Sequence, residues 1–117
     1  MNEHSLQCTV ADYLDQCLPK HEALWFAVPN GGKRGKVTAA LLKKEGVKAG
    51  VADLIVIWRG SVIAIEMKTP KGSHQTIQKQ WGEALTLAGG VYVVCRSVSD
   101  VWAALDAAGV PMRGKPS

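Results

Sequence analysis

Asp53, Glu66 and Lys68 are the residues of this chain whose types and spacing could do chemistry together. They bracket two short, branched, apolar runs, Leu54–Trp58 and Val62–Ile65, whose length and composition favour buried strands over helices. Arg59-Gly60 supplies a two-residue turn between them, a weaker hairpin signal than Asn-Gly. If Trp58 faces Ser61, Asp53 falls opposite Glu66, and strand alternation puts Glu66 and Lys68 on one face with Met67 on the other. A three-residue loop or a bulge would shift this pairing. Two facing carboxylates destabilise a sheet unless something neutralises them. A divalent cation would do so, because carboxylate oxygens suit Mg²⁺ or Mn²⁺. The bland alternative is a surface ion-pair cluster. Against it, both runs are too apolar to carry charges there without a purpose.

Asp53 followed after twelve residues by Glu66-Met67-Lys68 resembles the PD-(D/E)XK nuclease signature. The wider context resembles the VRR-NUC domain within that superfamily. Pro29 to Arg34, Gly46 to Leu54, Glu66 to Thr69, and Gln78 with Trp81 stand in the family's order and approximate spacing, over roughly Glu3 to Leu105. Ala52 departs from the pattern, standing where the family has Pro, and is expected to loosen the backbone there. The resemblance implies a fold: an α/β nuclease-like core with a central mixed sheet of about four strands flanked by helices. It implies an activity: Mg²⁺-dependent, structure-specific cutting of DNA, branched forms such as four-way junctions included, by homodimers associated with viral and prophage genomes. It also implies roles. Asp53 and Glu66 would be metal ligands, with Glu3 and the Met67 carbonyl contributing. Lys68 would serve the attacking water or the phosphorane charge, Gln78 would hold Lys68 or the water, and Gln7 would buttress Glu3. Mn²⁺ is expected to substitute for Mg²⁺.

The remaining elements must position these groups. A helical stripe of Leu6, Val10, Tyr13, Leu14 and Cys17 predicts a first helix over Glu3 to Leu18, ended by Pro19. Glu3 and Gln7 lie on the face that Val10 and Leu14 continue; taken alone, Glu3 is an ordinary first-turn acid. Leu24–Val28 reads as a strand closed by the Pro29-Asn30-Gly31-Gly32 turn. Lys33-Arg34-Gly35-Lys36 fails the Walker pattern, since Asn30 replaces the first Gly and Val37 the Ser or Thr. What remains is a glycine-rich basic loop suited to phosphates, or one that is simply solvated. Val37–Glu45 reads as a helix with Val37, Ala40 and Leu41 as its buried face. A third helix is expected over Gln75 to Ala88, with a stripe of Ile77, Trp81, Ala84, Leu85 and Ala88. Val91–Cys95 reads as a strand returning to the sheet. Ser97-x-x-Asp100 opens a last helix through Ala108. Val110–Ser117 reads as a loose basic tail. For the four Trp residues, core packing is favoured over base stacking. His74, close after the Glu66–Lys68 strand, could touch a phosphate, though an ordinary surface His is the safer reading.

The 117 residues make one domain, 47% apolar and 21% charged, which is globular composition. Lys33, Arg34, Lys36, Lys43, Lys44 and Lys48 stand against one acid, Glu45. This local +5 exceeds the whole-chain +4 and marks a one-sided phosphate-binding surface, with Asn30 beside it. Three cysteines without CxxC spacing exclude a disulfide framework and a zinc site. The chain shows no signal peptide and no apolar run approaching about 20 residues. A cytoplasmic location, in a bacterium or an infected host cell, is expected. Two other classes compete with the nuclease: a DNA-binding module with a dead site, and a small interaction protein with coincidental motifs.

Overall fold

A computed structural model of the chain describes residues 2–29 and 35–116, and the backbone but not the side chain of Lys36. Eight elements follow in order: α1 (Glu3–Cys17), β1 (Ala23–Ala27), α2 (Lys36–Lys44), β2 (Leu54–Trp58), β3 (Ser61–Met67), α3 (Thr76–Leu87), β4 (Val91–Cys95) and α4 (Val98–Ala107). The strands form one mixed sheet in the order β1-β2-β3-β4. The first two pairings are antiparallel and β3–β4 is parallel, as a strand–helix–strand crossover requires.

The hairpin register is the one the Arg59-Gly60 turn implies. Trp58 faces Ser61 and Leu54 faces Ile65, so one more step brings Asp53 opposite Glu66. Both turn residues take positive φ, Arg59 at 47° and Gly60 at 85°, as a type I′ turn demands. Arg59 thus tolerates a conformation for which Asn or Gly is the usual choice.

Alternation along the strands divides the interior into two layers. Leu54, Val56, Ile63, Ile65 and Met67 face α1 and α4, meeting Leu6, Val10, Leu14, Val101 and Leu105. Ile55 and Ala64 face α3, meeting Trp81, Leu85 and Tyr92. The α1–α4 side holds most of the buried side chains. The α3 side is smaller and leaves Leu24 and Phe26 of β1 about half exposed.

Two sequence expectations are corrected. Val37, Ala40 and Leu41 of α2 are exposed, Val37 by 75%, because α2 lies out along the cleft mouth with no sheet face beneath it. The segment over residues 110–116 is not loose. Val110 is buried, the Arg113 N–H donates to the Cys17 carbonyl, and the Tyr13 hydroxyl donates to the Gly114 carbonyl at 2.6 Å. The Lys115 ammonium sits 4.5 Å over the Trp102 ring. Ala52, in turn, is fully buried in the α3-side core.

Candidate nuclease site

Asp53 enters β2 at the end of a loop whose last turn is set by Gly50, with φ at +79°. Glu66 is the penultimate residue of β3 and Lys68 follows the strand. The Met67 N–H donates to Asp53 Oδ2 at 2.8 Å, locking one Asp oxygen to the strand that carries Glu66. Lys68 is held to the end of β4 by donating its N–H to the Cys95 carbonyl at 3.0 Å. Both charged side chains are buried, Glu66 at 1% exposure and Lys68 at 6%.

Glu66 is the anomalous group. Among the described residues, neither of its carboxylate oxygens has a hydrogen-bond partner, although a buried ionised carboxylate ordinarily demands several. Its pKa is pushed up to about 9, by burial first, then by the close approach and charge of Asp53, with Glu3 adding and Lys68 opposing. The Asp53 carboxyl lies against it without making a well-formed hydrogen bond. An orphaned, buried acid facing a second acid is what a divalent cation would satisfy, and the oxygen-only donor set fits Mg²⁺ or Mn²⁺. Among the described residues, no three Asp, Glu, His or Cys groups gather as a complete metal cage. Two carboxylates alone suit an ion that keeps several waters.

The other expected residues divide. Glu3 begins α1 under the Asn2 N-cap, is exposed, and acts on Glu66 through its charge. Gln7, one turn later, is half-buried. The Gln78 side-chain carbonyl accepts the Gln75 N–H at 3.0 Å, completing a capping box at the start of α3. Gln78 also borders a cleft of about 860 Å³ shared with Asp53, Lys43 and Lys48. Lys44 is exposed on α2 but is not part of that lining. The Lys36 side chain, Asn30, Lys33 and Arg34 lie outside the described residues.

Two neighbours of the site, Tyr92 and Arg96, escaped the sequence reading, and a third, His74, entered it only as a residue that could touch a phosphate, with an ordinary surface role preferred. Tyr92, opposite Ala64 in the β3–β4 register, shares a face with Glu66. Its hydroxyl pKa is raised by burial first, then by the charges of Glu66 and Asp53. His74 Nε2 lies 2.8 Å from the Tyr92 hydroxyl. Its pKa is lowered by burial, then by Lys79, Lys68 and Arg96. Arg96 donates from one guanidinium nitrogen to the carbonyls of Thr69 and Gly72, each at 2.7 Å, and more weakly to Pro70. It thereby grips the loop that leaves Lys68. Neither the pairing of Tyr92 with Ala64 across the parallel strands nor the reach of Arg96 across the sheet is written in a local sequence pattern.

A four-stranded mixed sheet between helices, with an Asp, a Glu and a Lys converging at the end of its central hairpin, defines a nuclease-type α/β domain. The model of the VRR-NUC domain matches residues 2–99. A solved structure described as a VRR_NUC domain protein is similar to this chain at a TM-score of 0.73 and 26% identity, covering 92% of this chain and 87% of its own. No curated protein matches significantly. The chain belongs to the VRR-NUC domain family, and its function is of the nuclease, DNA-processing type. No helix among the described residues is long and apolar enough to cross a membrane.

Proposed function

We propose that this chain is a Mg²⁺-dependent endonuclease that hydrolyses phosphodiester bonds in branched DNA, four-way junctions included. The observation that carries the reading is the buried Glu66 carboxylate, both oxygens unpartnered, set across the hairpin from Asp53 and beside buried Lys68. Asp53 and Glu66 would hold the ion, with the Met67 carbonyl as a further donor and Glu3, exposed at the start of α1, as an outer or second-metal ligand. When bound it would neutralise charge on the phosphate and make a coordinated water more acidic. Lys68, kept from solvent and fixed by its backbone bond to β4, orients or deprotonates the attacking water or steadies the phosphorane charge. Gln78 borders the same cleft as Asp53 and offers its amide N–H₂ to that water; its carbonyl, the group that could hold the Lys68 ammonium, is spent on the helix cap. Gln7 supports Glu3 from the next turn of α1. Lys43, Lys44 and Lys48 receive flanking phosphates, together with Asn30, Lys33, Arg34 and Lys36 of the basic loop.

Incubation with labelled four-way junction, flap and linear duplex, in Mg²⁺ or in EDTA, tests this. Metal-dependent cutting that favours branched forms is expected. Asp53→Ala, Glu66→Ala and Lys68→Ala should each abolish it, by at least about a hundredfold, while DNA binding survives. Binding without any metal-dependent cut would instead establish a dead-site module.

One site cuts one strand, so symmetric cutting of a junction calls for two copies about a two-fold axis. Leu24 and Phe26, exposed by 55% and 46% on edge strand β1, supply an apolar surface for that pairing. Light scattering across concentration should then give twice 12.5 kDa, and a constant monomer mass would remove the dimer from the mechanism.

A further inference from the structure

A second cavity, about 540 Å³, opens on the α3–β4 side and is bordered by His74, Lys79, Gly82, Glu83, Leu87 and Tyr92. It is not part of the Asp53 cleft. Its back wall is a pair of rings: His74 and Tyr92 stack with centroids 5.8 Å apart and planes 23° from parallel, joined by the 2.8 Å contact between Nε2 and the hydroxyl. Trp81 braces Tyr92 edge-on at 5.9 Å.

The position of this wall is specified by a residue that otherwise weakens its own helix. Gly82 lies in the middle of α3, where glycine costs about 1 kcal/mol relative to alanine. A Cβ there would collide with the Tyr92 ring. The helix therefore gives up a side chain so that the ring can approach its backbone closely. Arg96 holds the other side of the arrangement through the Thr69 and Gly72 carbonyls of the loop that leads to His74.

The charges around the rings are divided. Lys79, Lys68 and Arg96 act on His74, while Glu66 and Asp53 act on Tyr92. Lys79 borders the cavity together with the two rings, and Tyr92 shares a sheet face with Glu66 of the proposed cutting site. Tyr92 lies opposite Ala64, two residues before Glu66, so strand rise and spacing put its Cα roughly 8 Å from that of Glu66.

We propose that this cavity receives an unpaired nucleobase of the DNA strand being cut, stacked on the His74–Tyr92 wall with its phosphate toward Lys79. The proposal rests on the nuclease reading and deepens it. A ring platform beside a cation accepts any base through its π-face, but a base held in a duplex cannot reach it. The cavity would therefore favour DNA whose strand is unpaired next to the cut. Leu87, 90% exposed at the rim, offers the base edge an apolar contact, and Glu83 offers an acceptor.

The test uses the full chain carrying Asp53→Asn, so that DNA is bound and not cut, with flap DNA bearing 2-aminopurine at successive unpaired positions beside the branch. One position should change fluorescence on binding. Removing the base there, leaving an abasic sugar, should weaken binding roughly five- to a hundredfold. His74→Ala should weaken binding of base-bearing flap by a similar factor and leave the abasic flap unaffected. Tyr92→Phe, which keeps the ring, should retain the base dependence. Equal affinity for base-bearing and abasic flap at every position would overturn the proposal, as would equal weakening of both by His74→Ala. A His74→Ala chain that loses self-association without any base effect would assign the cavity to a contact between copies and overturn it as well. If His74→Ala does not fold, the abasic comparison on the otherwise unaltered protein decides. Cleavage by the chain with Asp53 intact is read separately: base-dependent binding without metal-dependent cutting would refute the nuclease reading and not the base site.

Discussion

Burial and the facing Asp53 make the Glu66 carboxyl hold its proton more tightly than an ordinary glutamate does. Its folded-state pKa of about 9 stands above the ordinary 4.5, so the folded chain binds this proton more tightly than the unfolded chain. By linkage, this residue's stabilising contribution is complete below about 4.5 and is lost as pH rises through about 9. Replacing Glu66 with Gln keeps the neutral shape and removes the titration. Chemical denaturation in EDTA at pH 5, 7 and 9 should show Glu66→Gln gaining on the wild type at each step. Saturating Mg²⁺ should close the gap by stabilising the wild type alone, because a ligand that binds only the folded state adds to its stability. A pH-independent difference between the two chains would mean that Glu66 is already ionised without metal, and the cation argument would lose its physical basis. At this scale the sequence was informative. Asp53, Glu66 and Lys68 come together because strand alternation and a two-residue turn leave one arrangement. Tyr92 was missed and His74 was left as a surface residue because their meeting depends on the parallel β3–β4 register and on the fold of the loop after Lys68, which no local pattern encodes.

The elements show why reading patterns works for strands and fails for surfaces. β2 and β3 are central strands, largely buried, and β4 lies beside them half-buried; their apolar runs marked all three within a few residues. The stripe of α1 likewise predicted burial of Leu6, Val10 and Leu14. Val37, Ala40 and Leu41 make an equally good stripe, yet they face outward, because amphipathicity records that an apolar face exists and not what covers it. The tail failed in the opposite sense: its composition is that of a loose terminus, but Val110 and the Tyr13–Gly114 bond tie it to α1 and the core. Where an element is fixed by close approach, glycine is the better witness. Gly50 has φ at +79°, and a Cβ there would stand 2.5 Å from the Ile77 carbonyl oxygen. Backbone cannot yield as a flexible side chain does, so the loop before Asp53 and the first turn of α3 would have to separate. Gly50→Ala should cost about 2–4 kcal/mol from the left-handed conformation and the overlap together. It should also reduce cleavage more than stability alone explains, since Asp53 follows three residues later. Urea unfolding and cleavage rates on the same preparation measure both. An alanine variant as stable and active as the wild type would show that the loop and α3 are not held at this contact.

For the whole molecule, the deciding quantity is where charge sits, not how much there is. The net +4 is modest, and a chain with that charge spread evenly would bind DNA weakly and without orientation. Six of the fourteen basic residues fall between Lys33 and Lys48, and Lys43 and Lys48 border the cleft that Asp53 closes. Phosphates held there would lie beside the carboxylates, so a strand drawn in by charge is delivered to the site. Each phosphate neutralised releases condensed counterions, and the logarithm of affinity falls with the logarithm of salt by about 0.9 per contact on duplex DNA. Binding of the Asp53→Asn chain to a junction, measured from low to moderate salt, should therefore be steep. Lys43→Gln and Lys48→Gln should each lower the slope by about 1, with similar loss on every sequence, because phosphate contacts position and do not discriminate. Lys20→Gln and Lys71→Gln, exposed but away from this segment, should leave the slope unchanged. If all four substitutions lowered it equally, the DNA would be held by diffuse charge over the whole surface, and the cleft between α2 and α3 would lose its place as the path by which a strand reaches Asp53 and Glu66.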